Sequence, residues 1–120
     1  MLVRGIRGAT TVSKNNKDEI VKETANLLVK MIEQNDVDSE NIASIIFTTT
    51  SDVFDEFPAV AAREILSLNS VPLLNMQEID KPDSLKKCIR ILIHWNTNLD
   101  QKEINHVYLK GAQSLRTDLN

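Results

Sequence analysis

"KKCIRILIHWNT", residues 86–97, decides the fold. Ile89, Ile91, Ile93 and Trp95 fall on every second position, the period of a strand with one buried face. The other face carries Cys88, Arg90, Leu92 and His94. A guanidinium keeps its charge, and burying it alone is costly. Arg90 must therefore reach water, pair with a carboxylate of this chain, or meet an anionic ligand.

Working outward, Leu85 to Asn96 reads as the long fourth strand of a sheet. Downstream, "LDQKEI" is a short helical turn, "NHVYLK" a fifth strand and "GAQSLRTDLN" a tail. Upstream, "DKPD" is a turn, and a third strand lies near Val71 to Ile79. "SIIFTTT", Ser44 to Thr50, is a β-branched second strand, and "LVRGIRGATT" a first. In "NNKDEIVKETANLLVKMIEQN", Ile20, Thr24, Leu27, Leu28, Met31 and Ile32 form one helical stripe. Asn16 is placed to cap it, with Asp18 and Glu19 in the first turn. Asp38 or Ser39 starts a short turn over "SENIA". Pro58 suits the first position of a second helix, "PAVAAREILSL". The order β-α-β-α-β-β-β predicts an α+β (α/β-like) fold, a mixed sheet with two main helices on one face. Residues 1–120 read as a single domain, with 116–120 a short C-terminal tail. A sheet covered on one side calls for a copy of itself on the other, hence a symmetric oligomer.

Composition narrows the function classes. At 42% apolar and 26% charged, the 120-residue chain is globular. Its net charge of -3 argues against broad nucleic-acid binding, though not against a local basic pocket. Cys88 is the only cysteine, which excludes an internal disulfide and fits a reducing cytoplasm. No apolar run reaches membrane-span length, and "MLVRGIRGATTV" lacks the core of a signal peptide.

Two arginines stand out from ordinary solvated ones: Arg90, and Arg7 between Ile6 and Gly8. On neighbouring strands they would form a cationic site sized for a dianion, and the arginine fork suits carboxylates. Glu78 at the end of the third strand reads equally as a surface carboxylate or as their neutralising partner. Tyr108, the only tyrosine, reads by itself as ordinary amphipathic packing. His94, His106 and Cys88 show no metal-ligand spacing, and no phosphate-binding glycine loop is present. The "TTTS" run at 48–51 has hydroxyls to donate but reads first as a strand end, and Cys88 as a small core residue. Together these residues suggest a small-acid pocket without covalent machinery.

The motifs "VRGIRGATTV", "FPAVAAREI", "MQEID…LKKCIRIL" and "HVYL…LR.DL" occur in order from Val3 to Leu119. In this the chain closely resembles the monofunctional chorismate mutases of the AroH type. The resemblance implies a homotrimer, a pseudo-α/β barrel with active sites in clefts between subunits. It implies a cofactor-free and metal-free Claisen rearrangement of chorismate to prephenate, on the route to phenylalanine and tyrosine. Carried over by motif, Arg90 would face the breaking ether oxygen and a carboxylate, which Arg7 and Tyr108 would also grip. Glu78 would accept from the substrate hydroxyl. Phe57 and Ala59 would line the cleft from the neighbouring subunit, with Arg63 at the entrance and Leu73, Leu74 and Leu115 as apolar wall. Arg116 and the tail would close the mouth. Val60 and Asn75 depart from the commoner lysine and cysteine, which implies a less cationic entrance and an amide in place of a thiol at the substrate hydroxyl. The alternatives are a trimeric small-acid binding protein, an imine deaminase of the YjgF type with an interface cleft, and a regulatory module for an aromatic-pathway metabolite.

Overall fold

The computed structural model describes residues 1–119, with side chains as far as Leu115. Five strands form one mixed sheet: β1 (Leu2–Thr11), β2 (Ile42–Thr49), β3 (Leu73–Gln77), β4 (Cys88–Thr97) and β5 (Val107–Tyr108). Their spatial order is β3-β2-β4-β1-β5. β4 lies antiparallel between β1 and β2, while β3 joins β2 and β5 joins β1 in parallel.

Burial along β4 alternates as its sequence requires: Ile89, Ile91, Ile93 and Trp95 are buried, while Arg90, Leu92 and His94 are half-buried on the other face. The buried face meets α1 (Lys17–Asn35), whose Leu27, Leu28 and Met31 are wholly buried. Each such side chain contributes about 1.5–3 kcal/mol. The N-cap is as the sequence predicts, with the Asn16 side chain accepting from the Glu19 N–H at 3.1 Å. The helix ends at Asp36 in the left-handed region, φ 56°. Gly8 sets how closely α1 packs on β1: a Cβ there would collide with the Met31 sulfur and stand 3.1 Å from Leu27 Cδ1.

The structure trims two expected strands, β3 to Leu73–Gln77 and β4 to a start at Cys88 instead of Leu85, and differs from the sequence reading at three further places. "PAVAAREILSL" forms only a short coil of helix with a π turn over Ala61–Ile65, where Leu66 N–H reaches back five residues to Ala61 O at 3.2 Å. β5 is two residues long. The expected tail is a 3-10 segment, Lys110–Leu119, packed along β1. Both helical segments contribute to the core on the Phe47 side of the sheet, as expected. On the opposite face, among the described residues, Ala112 and Leu115 of the C-terminal segment and Leu85 of the β3–β4 loop cover one corner, packing with Ala9, Cys88 and Tyr108.

Candidate active site

Register assembles the site on that open face. Arg90 pairs with Thr48 of β2 and with Ala9 of β1, and Ala9 pairs with Tyr108 of β5. Directly paired residues share a face, so Thr48, Arg90, Ala9 and Tyr108 form one row across four strands. Arg7 stands in the next row, opposite Leu92, which in turn faces Ile46. Glu78 follows β3, its N–H bonded to Thr49 O at 2.8 Å, and its carboxylate accepts from the Thr48 hydroxyl. These side chains enclose a cavity of about 240 Å³ lined by Arg7, Thr48, Glu78, Arg90, Leu92 and Tyr108, among others. Ala9, small and central in the row, leaves the room between Arg90 and Tyr108.

Arg90 Nε lies 3.6 Å from Glu78 Oε2 and is buried without a hydrogen-bond partner. The two side chains retain 37% and 30% of their exposure. An ion pair that open to solvent contributes about 0–1 kcal/mol. An incoming anion therefore takes Arg90 from Glu78 at little cost, and satisfies an idle donor in doing so. Two guanidiniums against one carboxylate make this a locally cationic hollow in a chain of net charge -3. The Cys88 thiol, wholly buried behind Arg90, has its pKa raised by burial, against the opposing pull of the guanidinium.

Backbone geometry fixes the two cations. Lys87, in the left-handed region at φ 48°, donates its N–H to both oxygens of Asp52 at 3.0 Å. Thr50 Oγ1 donates to the same carboxylate at 2.5 Å and accepts from Cys88 N–H at 3.0 Å. Burial would raise the Asp52 pKa, but these hydrogen bonds outweigh it and hold the carboxyl below its ordinary value. This clasp, at Lys87, sets where β4 begins, at Cys88, two residues before Arg90. On β1, the Arg7 N–H donates to His106 Nδ1 at 2.9 Å, so the imidazole continues the pairing that two-residue β5 leaves unfinished. Burial first, and then the Arg7 charge, hold His106 below its usual pKa and keep that nitrogen an acceptor.

Of the sequence candidates, Arg7, Glu78, Arg90 and Tyr108 are brought together. Leu74 is half-exposed on the same open face. Leu115 packs beside Tyr108. Phe57 and Asn75 instead line a second hollow of about 340 Å³ with Phe54, Pro58, Met76 and Gln77. Asn75 pairs with core-facing Phe47, so its side chain lies across the sheet from Arg90. Its Oδ1 accepts from the Ala59 N–H at 3.1 Å. Ala59 is wholly buried, Val60 is buried, Leu73 packs against the core, and Arg63 is exposed on the π turn. The Arg116 side chain lies outside the described residues. Sequence reasoning set Thr48 aside as a strand end, although its hydroxyl donates to Glu78, and missed Ala9, Ile46 and Leu92 as lining residues and His106 as a backbone acceptor. Strand parity alone would have found the four lining residues once β4 was registered against its neighbours; nothing in the sequence signals the last.

Residues 3–119 match the family described as chorismate mutase type I. Over 98% of the chain it is 47% identical to the chorismate mutase AroH of Thermus thermophilus, covering 97% of that protein. It is 42% identical to the chorismate mutase AroH of Bacillus subtilis, over 100% of this chain and 94% of that one. Among solved structures, a chorismate mutase from Clostridium thermocellum is 54% identical, with a TM-score of 0.89 over 92% of this chain and 97% of that one.

Proposed function

The chain belongs to the chorismate mutase type I family, and we propose that its reaction runs in the cavity between Arg7 and Arg90, completed by a second copy of the chain. It is an isomerase that converts chorismate to prephenate, a step toward phenylalanine and tyrosine. The comparisons lend no support to an imine deaminase or a non-catalytic binding protein.

Chorismate is a dicarboxylate whose ether bond breaks as a carbon–carbon bond forms. The rearrangement is pericyclic: it moves no proton and needs no nucleophile. The protein's task is to hold the reactive conformer and to meet the negative charge that grows on the ether oxygen. Arg90 does the second. Its Nε, free of any hydrogen bond, and the rest of its planar fork address the ether oxygen and the side-chain carboxylate together. A fixed donor of this kind lowers the barrier by about 3–4 kcal/mol. Arg7 and Tyr108 hold the same carboxylate. Glu78, anchored by Thr48, accepts from the ring hydroxyl.

The second half of the cleft comes from a neighbouring copy. Phe57, 62% exposed, and Asn75 cannot meet Arg90 within one chain because the sheet stands between them. The uncovered face also leaves Leu74 and Met76 about half-exposed, apolar surface suited to burial in a homotrimer. Leu74 and Leu115 then serve as apolar wall, while Leu73 packs into the core behind them, Ala59 backs Phe57, and Arg63 draws in the dianion. Among the described residues no helix is long and apolar enough to cross a membrane. We place the enzyme in the cytoplasm, where a lone buried thiol stays reduced.

The single observation that carries this reading is the row Thr48–Arg90–Ala9–Tyr108, flanked by Arg7 and Glu78 around one cavity, with the buried Arg90 Nε lacking a hydrogen-bond partner. It is tested by following chorismate loss in the ultraviolet alongside prephenate appearance. Saturable, stoichiometric conversion is expected. No loss at high enzyme concentration would overturn the reading.

A further inference from the structure

Among the described residues, Glu23 is the one charged side chain in the buried class, 5% exposed, and the site just described does not use it. It sits on the sheet-facing side of α1. Its Oε1 accepts from Asn26 Nδ2 at 2.9 Å, and its Oε2 is ion-paired with Lys110 Nζ. A buried charge of this kind is retained only with a partner, and removing Lys110, whose own side chain is 55% exposed, strands the Glu23 carboxylate.

Lys110 is the residue at which the chain turns out of β5 into the 3-10 segment. Its backbone is left-handed, φ 51°, a conformation that costs a non-glycine residue about 1–2 kcal/mol. The turn is held on both sides: Leu109 N–H bonds to Ala9 O at 2.9 Å, and Gly111 N–H to Thr11 Oγ1 at 3.1 Å. At Gly111 a Cβ would stand 3.0 Å from that same hydroxyl oxygen, so a side chain there would press on Thr11. The direction taken here decides whether Ala112 and Leu115 reach Ala9, Cys88 and Tyr108 at the edge of the cavity.

We propose that Glu23 and Lys110 form a latch: the helix carboxylate holds the Lys110 turn, and through it the C-terminal segment, against the corner of the sheet beside Arg90 and Tyr108. The pair touches no reacting atom; it is a positioning pair. Its substrate consequence rests on the proposed function. With the latch broken, only a fraction of molecules hold the segment docked, and apparent substrate affinity falls by that fraction. Turnover at saturation changes little, because Arg7 and Arg90 are fixed by strand ladders that the latch does not touch. The Lys110 ammonium pKa, raised by its hydrogen bond and charge interaction with Glu23, fits a pair that stays ionised.

Charge reversal tests this. Glu23→Lys and Lys110→Glu are made singly and together, and amide hydrogen exchange of residues 111–115 is measured without substrate. Each single variant should speed that exchange at least about tenfold and raise KM for chorismate about tenfold, with kcat within about twofold. The double variant, which restores an opposite pair with the Asn26 amide turned to accept, should return both toward wild type. If Glu23→Lys does not fold, Glu23→Gln with Lys110→Met supplies the single-variant comparison. Unchanged exchange and KM in the single variants, or a double variant no better than either, would overturn the latch. Absence of turnover in the wild type would sink the proposed function while leaving exchange to decide the latch.

Discussion

Replacing Arg90 by lysine keeps the charge and removes the fork. Arg90 Cα is clamped from both sides, by the β1 ladder at Ala9 and the β2 ladder at Thr48, so β4 cannot shift to carry a shorter ammonium to where the guanidinium stood. The ammonium is a point donor and cannot address the ether oxygen and a carboxylate in one plane. The lost term is the directed donor at the developing oxyanion, about 3–4 kcal/mol. At 1.36 kcal/mol per decade, kcat falls about 10²–10³-fold. KM rises less, because Arg7 and Tyr108 still hold the carboxylate. Folding is nearly untouched: the Arg90 side chain is 37% exposed, and its pairing with Glu78 is worth about 0–1 kcal/mol. Steady-state kinetics with chorismate and urea midpoints on the same preparations separate the two effects. A kcat within about threefold of wild type, with the midpoint unchanged, would refute the role given to Arg90.

Glu78→Gln should leave the Thr48 contact but free Arg90 of its countercharge; KM rises several-fold while chorismate still turns over, and a loss as large as that of Arg90→Lys would count against a binding role. Gly8→Ala drives a methyl group into Met31, and overpacking of this kind costs about 1–3 kcal/mol, read as a lowered urea midpoint; an unchanged midpoint would contradict the tight α1–β1 contact. His106 titrates lower in the fold than the ordinary 6.5. Below that value the unfolded chain is the more protonated, so stability is full above about pH 6.5 and declines as pH falls toward the folded pKa. His106→Asn, whose amide oxygen can still accept from Arg7 N–H, should lose that part of the decline in pH-dependent urea melts; an identical profile would remove His106 as its source. Asn16→Ala should cost about 1 kcal/mol by stranding the Glu19 N–H, again measured by denaturation.

What the sequence made legible was local. The β4 alternation, the Asn16 cap and the α1 stripe each follow from a short-range period or a single hydrogen bond, and the structure reproduces them. Arg7 and Arg90 stood out because a permanent charge on an apolar strand demands an explanation, and they do share a cavity. Register was the missing information. No local signal says that Ala9 lies opposite Arg90, or that Thr48 rather than solvent holds Glu78. Apolar spacing suggests a regular helix at "PAVAAREILSL", and the π turn that replaces it arises where Ala59, Ala61 and Ala62 are buried completely in the core. The C-terminal segment is polar by sequence and read as a tail; it is held by a carboxylate eighty-seven residues away, Glu23, which no periodicity marks.

The central claim is that the Arg90 guanidinium leaves Glu78 to meet an oxygen becoming anionic. It is tested most directly by a crystal structure with a bicyclic dicarboxylic ether that mimics the rearranging substrate. The account predicts the ligand in a cleft between two copies, its ether oxygen within hydrogen-bond distance of Arg90 and a carboxylate on Arg7. A ligand bound elsewhere, or Arg90 turned to bulk solvent with the mimic in place, would contradict it.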